Sequence, residues 1–389
     1  MKRILLVAIL LVCAGLGIWW FQFNGAGIQT PSTPTIPTSE IPKTSGLTPT
    51  LELANDIWSH ETKWADVIAQ KTQSASSDPA ALKELAFAQS FVGDMWAAEA
   101  SLDTYCQNHA EDGACKKIAY SFVIQKPVDN TQKPLTGLSF EILGKPASRT
   151  AIKANSATTP VTIADTTYKN TIVRSKITKK GYTDFITRSS HTAFANDTTS
   201  TKDVAVSPVF IPADTNVTKK SNVGYEVKTK NYTFTVQPDT FTYADGTPVE
   251  GDIDAYFFDI TDGTPNVYAT GMFSLDIFDR VTRANIGEGM ITYGMPLIKA
   301  YKGDVELSVK KPIIGVGRMS NMEEFKTRNG LTQIDFTAVP KNTPIDYAAA
   351  LKYNLPPFWQ YKKSTGTWET STFQILDNTG LAQFSFSDL

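Results

Sequence analysis

The chain of 389 residues contains only three cysteines and three histidines. Three cysteines are too few for a small fold stapled by several disulfides. His60, His109 and His191 stand far apart, and neither an H-E-x-x-H motif nor a paired-cysteine spacing occurs, so the sequence indicates no zinc site. The net charge is −2, which argues against a nucleic-acid-binding protein that depends on overall positive charge.

Motifs for catalysis are also missing, since the sequence has no G-x-S-x-G elbow and no phosphate-binding loop. Carboxylates remain as candidates, and five aspartates fall within eighteen residues: Asp245, Asp252, Asp254, Asp259 and Asp262. Asp252 and Asp254 share one face of a predicted strand and could contribute two oxygens to a calcium site. The other interpretation is ordinary polar strand and turn residues. We expect no enzyme, no metal and no cofactor, with an unrecognised hydrolase as a further alternative.

The N-terminus begins with Lys2-Arg3 and continues with residues 4–21, which carry no charge and end in a cluster of tryptophans and phenylalanine. Such a run is long enough to cross a bilayer, with the positive charges on the cytoplasmic side. We therefore predict a signal anchor over residues 1–23, which places a single-pass protein in the cell membrane with its C-terminal bulk extracytoplasmic. Cleavage and secretion, or lipid attachment at Cys13, are alternatives.

Residues 24–50 are dominated by Thr, Pro and Ser, which keep the backbone extended and predict a stalk. Over residues 51–118 the apolar side chains recur at helical spacing. Asp78-Pro79 has the form of a helix start, and Asp94 is a second capping residue just after Gly93. We predict a small helical hairpin segment that caps the next domain, with a peptide-binding groove as the alternative.

Cys106 and Cys115 lie close together near the end of this segment. In an oxidising compartment they form a natural pair that closes a short loop, worth roughly 2–3 kcal/mol. In a reducing cytosol they would be free thiols. The predicted export signal favours the disulfide.

Residues 119–212 consist of short alternating runs rich in Thr, Val, Ile and Phe, which indicates β-strands. The opening KPLTGLSFEI at 133–142 and the later strand that ends at Gly181-Tyr182 carry a recognisable order. That order resembles the carboxypeptidase regulatory-like domain, a transthyretin-like β-sandwich. The resemblance implies a non-catalytic accessory module.

Residues 222–389 carry a second β pattern. Its parts are the ADGTPVEG turn at 244–251, a Gly289-Met290 strand, a Trp hairpin at 356–369 and a closing strand at 382–387. This succession resembles the extracellular β-sandwich region shared by the FAM171 family and the cartilage intermediate layer proteins. The resemblance implies a surface or matrix role and no established reaction.

Exposed aromatic rings are the best candidates for ligand binding. In the Trp hairpin, Trp359, Tyr361 and Trp368 could form a platform for sugar rings, although large aromatic residues in sandwiches are usually core residues. The basic residues at 174–180 could bind an anionic glycan or could form the solvated face of a strand.

Taken together, the sequence predicts a mainly β protein with two β-sandwich modules, preceded by a transmembrane helix, a Pro/Thr linker and a small α-helical segment. We expect a membrane-anchored, non-catalytic structural or adhesive protein of the cell surface, which contacts the membrane through residues 4–21 and does not bind nucleic acid. A surface glycan or a protein is the expected partner. The alternative is a carbohydrate- or peptide-binding accessory module.

Overall fold

The computed structural model describes residues 63–145, 150–152, 161–191, 198–261, 264–272, 276–278, 280–283, 285–288, 294–319 and 323–387. The predicted anchor, the stalk and the first twelve residues of the helical segment lie outside these residues. Within the described part of the chain, no helix combines the length and the hydropathy needed to cross a membrane.

Three helices open the described chain: α1 Trp64–Ser74, α2 Ala80–Phe91 and α3 Met95–Cys106, followed by a short 3-10 turn at Gly113–Cys115. The predicted helix starts are confirmed. The Asp78 carboxylate accepts the amide N–H of Ala80 at 3.0 Å, and that of Asp94 accepts the amide N–H of Ala97 at 3.1 Å. These bonds satisfy amides that have no partner within the helix, a contribution of about 1 kcal/mol each.

The helical segment packs against both β regions rather than standing alone. Trp64, Phe87 and Phe91 form a buried cluster, and the ring of Phe278 from a distant strand packs edge-on against Phe91, with the ring centroids 5.6 Å apart. Tyr168, on the last part of a strand in the first β region, packs on the other side of the helices. The segment is therefore a cap, as the first of the two interpretations predicts.

The first β region contains nine described strands. In chain order they are β1 Lys117–Ile124, β2 Val128–Asp129, β3 Leu138–Ile142, β4 Thr150–Ile152, β5 Val161–Tyr168, β6 Ile172–Thr178, β7 Phe185–Ser190, β8 Thr201–Val206 and β9 Val209–Phe210. β1 is central in a three-stranded sheet, antiparallel to β5 and parallel to β8. A four-stranded sheet with the order β4-β3-β6-β7 faces it across a shared core that contains Phe122, Phe140 and Phe210.

The second β region follows from residue 215. Its strands are β10 Thr215–Lys220, β11 Tyr225–Lys228, β12 Tyr232–Val236, β13 Phe241–Thr242, β14 Asp252–Ile260, β15 Asp276–Phe278, β16 Asn285–Glu288, β17 Met295–Lys302, β18 Val305–Glu306, β19 Ser308–Val309, β20 Ile313–Arg318, β21 Trp359–Lys362, β22 Thr367–Thr370, β23 Phe373–Ile375 and β24 Leu381–Phe386. A 3-10 turn spans Val267–Thr270, and two short helices are α4 Glu323–Arg328 and α5 Tyr347–Lys352.

Two of its sheets, β10-β14-β17-β18 and β11-β12-β20-β24-β23, share one hydrophobic core. Their strands alternate as the sequence predicts. In β12, Tyr232, Phe234 and Val236 are buried while the threonines between them point outward. The protein is thus mainly β with several sheets, which is consistent with β-sandwich architecture.

A third sheet of this region was not predicted. It has the order β16-β15-β22-β21, with β15 and β22 parallel, so a strand from residues 276–278 pairs beside the Trp hairpin. A core cluster under this sheet combines Trp368 and Phe258 with Leu143, Ile186 and Ile211 of the first β region. Although no described strand of one β region pairs with a strand of the other, both regions belong to one compact unit.

Candidate functional site

The Trp hairpin consists of β21 and β22, with Tyr361 directly opposite Trp368. Its turn closes at Gly366, which has a φ of +64° and donates its amide to the Lys362 carbonyl at 2.9 Å. A Cβ at this position would meet the Cδ1 atom of Leu143, so the left-handed conformation favours glycine and a larger residue would have to displace the Leu143 side chain. The tip of the hairpin is therefore packed against the first β region.

The three candidate rings do not form an exposed platform. Tyr361 is 7% exposed and Trp368 is 3% exposed, and the indole N–H of Trp368 donates to the Met272 carbonyl at 2.7 Å. Trp359 is half-buried, and its ring centroid lies 5.3 Å from that of Tyr347. The sugar-platform hypothesis is corrected here, because the ring face of the hairpin covers a core and only Trp359 retains partial exposure.

The opposite face of the same hairpin lines an open cavity of about 230 Å³. Strand alternation explains this arrangement, since side chains next to Tyr361 and Trp368 in sequence point to the other side of the sheet. The turn after β15 supplies one wall and the chain after β24 another. The lining residues are Arg280, Arg283, Gln360, Lys362, Glu369, Thr370 and Ser387. We refer to this cavity as the hairpin cleft.

Positive charge exceeds negative charge in the hairpin cleft, where three cationic side chains meet the single carboxylate of Glu369. Glu369 forms ion pairs with Arg283 and, at 3.4 Å, with Lys362. Arg283 has a φ of +58° and also donates to the Val92 carbonyl at 3.1 Å, which fixes its guanidinium between the helices and the hairpin. One charged wall of the cleft is thus held in place by the fold.

A second polar cluster is buried between the two β regions, and we call it the lysine junction. Lys299 of β17 pairs with Asp184 at 2.6 Å and lies 3.7 Å from Glu306 of β18. Lys363 binds the same Glu306 at 2.9 Å. Lys176 of β6 pairs with Glu141 of β3 at 2.5 Å. Three lysines therefore face three carboxylates, and the junction is neutral as a whole.

The side chains of Lys299, Asp184 and Lys176 are 4%, 5% and 2% exposed, so the pairs are shielded from water. Burial alone would lower the pKa of Lys299, but Asp184 and Glu306 outweigh it, and that pKa lies well above its ordinary value. Burial alone would raise the pKa of Glu306, yet the charges of Lys299 and Lys363 hold it well below its ordinary range. Lys299 and Glu306 therefore both stay ionised at neutral pH.

Lys363, at the rim of the lysine junction, behaves differently. Its side chain is 22% exposed, and its pKa is lowered because burial outweighs the attraction of Glu306. Lys176 has a raised pKa, since Asp184, Glu306 and Glu141 together outweigh its burial. The electrostatic support for a lysine charge therefore weakens from the centre of the junction to its rim.

The arginine junction joins the helices to both β regions and consists of Arg174, Arg188 and Asp276. Arg174 of β6 forms an ion pair with Asp276 of β15, and Arg188 of β7 lies 3.0 Å from the other oxygen of Asp276. The guanidinium of Arg174 also donates to the carbonyls of Ser90 at 3.0 Å and Phe91 at 2.8 Å, at the C-terminus of α2. Cationic groups stabilise helix C-termini, where carbonyls lack partners.

The basic residues at 174–180 are expected from the sequence either to bind a glycan or to form a solvated strand face. Both interpretations are wrong for Arg174 and Lys176, because each side chain is buried at 2% exposure. Only Lys179 and Lys180 of this group reach the surface, where Lys180 pairs with Asp254 at 2.7 Å. One sequence signal for the lysine junction exists. Lys299 interrupts the apolar run Met295–Tyr301, and a charge within a strand that is otherwise buried requires a partner.

Other candidate groups have structural partners. Cys106 and Cys115 form the predicted disulfide, with their Cα atoms 5.5 Å apart. Asp259 accepts the side-chain amide of Asn231 at 2.9 Å, and Asp254 accepts the Thr218 hydroxyl at 2.7 Å. Among the described residues, no three His, Cys, Asp or Glu side chains are grouped as a metal site would need. Asp262 and His60 lie outside those residues.

No protein family model, no curated protein and no solved structure matches this chain.

Proposed function

We propose that this chain is a membrane-anchored extracytoplasmic structural or adhesive protein, without catalytic activity, that displays two β-sandwich modules as one rigid head. The modules are those that resemble the carboxypeptidase regulatory-like domain and the FAM171/cartilage intermediate layer protein region. The observation that carries the proposal is the lysine junction. Its Lys299–Asp184 pair is buried and joins the second β region to the first, with Glu306 beside it, so relative movement of the regions would separate these paired charges.

Three further features agree with this role. The uncharged run at residues 4–21 and the Thr/Pro-rich residues 24–50 fit an anchor and a stalk. The Cys106–Cys115 disulfide fits an oxidising compartment outside the cytosol. The hydrophobic cluster that contains Leu143, Ile186 and Trp368 adds an apolar seam beside the lysine junction.

The location is tested by expressing the full-length chain in a bacterial host and treating intact cells with a protease. We expect the chain to sediment with membranes and to lose its C-terminal bulk to external protease, with Cys106 and Cys115 resistant to thiol labelling until a reductant is added. A chain found in the soluble cytosolic fraction, with both thiols labelled directly, would contradict the proposal.

The rigidity is tested by placing spin labels on exposed strands of the two β regions in the full-length protein, with Thr201→Cys in β8 and Glu226→Cys in β11. Cys13→Ala removes the remaining thiol. We expect one narrow distribution of distances between the labels. Lys299→Met should broaden that distribution, whereas Lys302→Met, a change on the same strand outside the junction, should leave it narrow. A broad distribution in the parent protein would show that the regions move independently.

A further inference from the structure

One cationic side chain of the hairpin cleft, that of Arg280, makes no ion pair or hydrogen bond within the described part of the chain. Arg280 follows β15, and its backbone amide donates to the Thr370 hydroxyl at 3.0 Å, which fixes where the side chain begins. Its guanidinium forms no ion pair and no hydrogen bond with any described residue. In contrast, the nearby Arg283 is held by Glu369 and Val92. The cleft therefore combines a positioned guanidinium with one whose donors have no acceptor among the described residues.

The charge in the cleft favours an anion. Arg280, Arg283 and Lys362 contribute three positive charges, and Glu369 contributes one negative charge, so the lining carries a net charge of +2. A concave surface with one sign of charge concentrates its field on a bound counter-ion. A guanidinium presents a planar fork of N–H donors that matches the oxygens of a carboxylate, sulfate or phosphate group.

The size and the remaining lining restrict the ligand further. A cavity of about 230 Å³ is smaller than the pockets of roughly 300–1,000 Å³ that enclose drug-sized molecules. It accommodates a charged group and part of one sugar ring rather than a whole oligomer. The side chains of Gln360, Thr370 and Ser387 supply amide and hydroxyl groups, and none of the seven lining residues is apolar. This lining suits a hydroxylated ligand better than an apolar peptide side chain or an acyl chain.

We propose that the hairpin cleft binds an acidic polysaccharide by one oxyanion group, a carboxylate or a sulfate on a single sugar residue. Arg280 forms the primary ion pair with that group. The positive charges of Lys362 and Arg283 attract the same group electrostatically. Glu369 competes with the ligand for the same cations. This binding activity goes beyond the structural role and can fail while that role holds, because none of the residues of the lysine junction lines the cleft.

The test is binding of the detergent-solubilised full-length protein to immobilised heparin, which is sulfated, polygalacturonate, which is carboxylated, and neutral dextran, all at one ionic strength. We expect binding to at least one acidic polymer and none to dextran. Heparin alone or polygalacturonate alone would identify the oxyanion group. Failure to bind either polymer, or equal binding to dextran, would overturn the proposal, as would binding of free sulfate without binding of any polymer.

Two variants separate a specific site from a general attraction between charges. Arg280→Ala should weaken binding at least about tenfold, since it removes the free guanidinium without breaking a described side-chain contact. Arg318→Ala is the matched control, because Arg318 is exposed on β20, away from the cleft, and its described hydrogen bond is to the Thr379 side chain. Equal losses in both variants would overturn the proposal.

Glu369→Gln gives a result that a purely structural role of the cleft would not produce. Removing the competing carboxylate should tighten binding about three- to tenfold, since Lys362 and Arg283 then retain their full charge for the ligand. Circular dichroism of the variant, recorded before the assay, establishes that it is folded. Weaker binding by a folded Glu369→Gln protein would contradict the assigned role of Glu369.

Discussion

The lysine junction and the arginine junction both bury ionised side chains between segments that are distant in sequence, but they balance the charge differently. In the lysine junction, three lysines meet three carboxylates, and Lys299 also donates to the Tyr182 carbonyl at 3.2 Å. In the arginine junction, two arginines share Asp276, and two helix carbonyls also accept hydrogen bonds from Arg174.

This difference determines whether apolar residues can replace the ion pairs of each junction without loss of stability. Removing one complete pair from the lysine junction leaves the other lysines and carboxylates in balance. Removing Arg174 and Asp276 together takes away the side-chain donor of the Phe91 carbonyl, a backbone acceptor that cannot be mutated away, whereas the Ser90 carbonyl keeps the amide of Gly93. A buried acceptor that loses its partner costs about 1–3 kcal/mol. The arginine junction is therefore the less replaceable of the two.

The largest effect is expected at the arginine junction. Asp276→Leu should lower the free energy of unfolding by about 3–5 kcal/mol, since it leaves the buried Arg174 without its carboxylate. The double variant Arg174→Met/Asp276→Leu should recover only part of this loss, because the Phe91 carbonyl at the end of α2 has lost its side-chain donor. Urea unfolding curves measure both values. Full recovery in the double variant would show that the helix carbonyls contribute nothing.

The second prediction concerns Lys299 and its closest partner. Lys299→Met should lower the free energy of unfolding by about 3 kcal/mol, because Asp184 then lies buried without a cation at hydrogen-bond distance. Lys299→Met/Asp184→Leu removes a complete pair and should return to within about 1 kcal/mol of the parent protein. Lys302→Met on the same strand is the control and should change stability by about 0.5 kcal/mol or less. A double variant as unstable as the single one would show that the lysine junction is no more replaceable by apolar residues than the arginine junction.

The two junctions also differ in how far the sequence reveals them. The strands around them follow from alternation, as in β12 and in the Trp hairpin, and the helix starts follow from Asp78 and Asp94. The partners do not follow, because Arg174 and Asp276 stand 102 positions apart and Lys299 and Asp184 stand 115 apart. Pairing at that separation depends on how sheets pack, which local patterns do not encode.

The dependence on sheet packing also explains why the sequence does not show which face of the Trp hairpin is buried. The sequence shows that Trp359, Tyr361 and Trp368 alternate along two arms, but alternation does not show which face meets the core. The third sheet decides this, because β15 pairs beside β22 and the Met272 carbonyl accepts the indole N–H of Trp368. The parallel pairing of β15 and β22 joins strands about 90 residues apart, and it also creates the hairpin cleft on the other face.

Acid should act on the lysine junction through Glu306. The folded-state pKa of Glu306 lies below its unfolded value, so its contribution to stability is complete above about pH 4.5 and is lost as the pH falls further. In that range the free energy of unfolding should fall by up to about 1.4 kcal/mol per pH unit more in the parent protein than in Glu306→Gln. Thermal unfolding between pH 6 and pH 3 measures the two slopes. Parallel slopes would show that Glu306 gains no stabilisation from its lysines.

The smallest effect is expected at the rim of the lysine junction. Lys363 has a lowered pKa, so the fold disfavours its charge, and Glu306 retains Lys299 when Lys363 is removed. Lys363→Met should therefore lower the free energy of unfolding by only about 1 kcal/mol, between the values for Lys299→Met and Lys302→Met. Urea unfolding of the three single variants gives this order directly. A loss as large as that of Lys299→Met would mean that the junction acts as one cooperative unit, in which no lysine is peripheral.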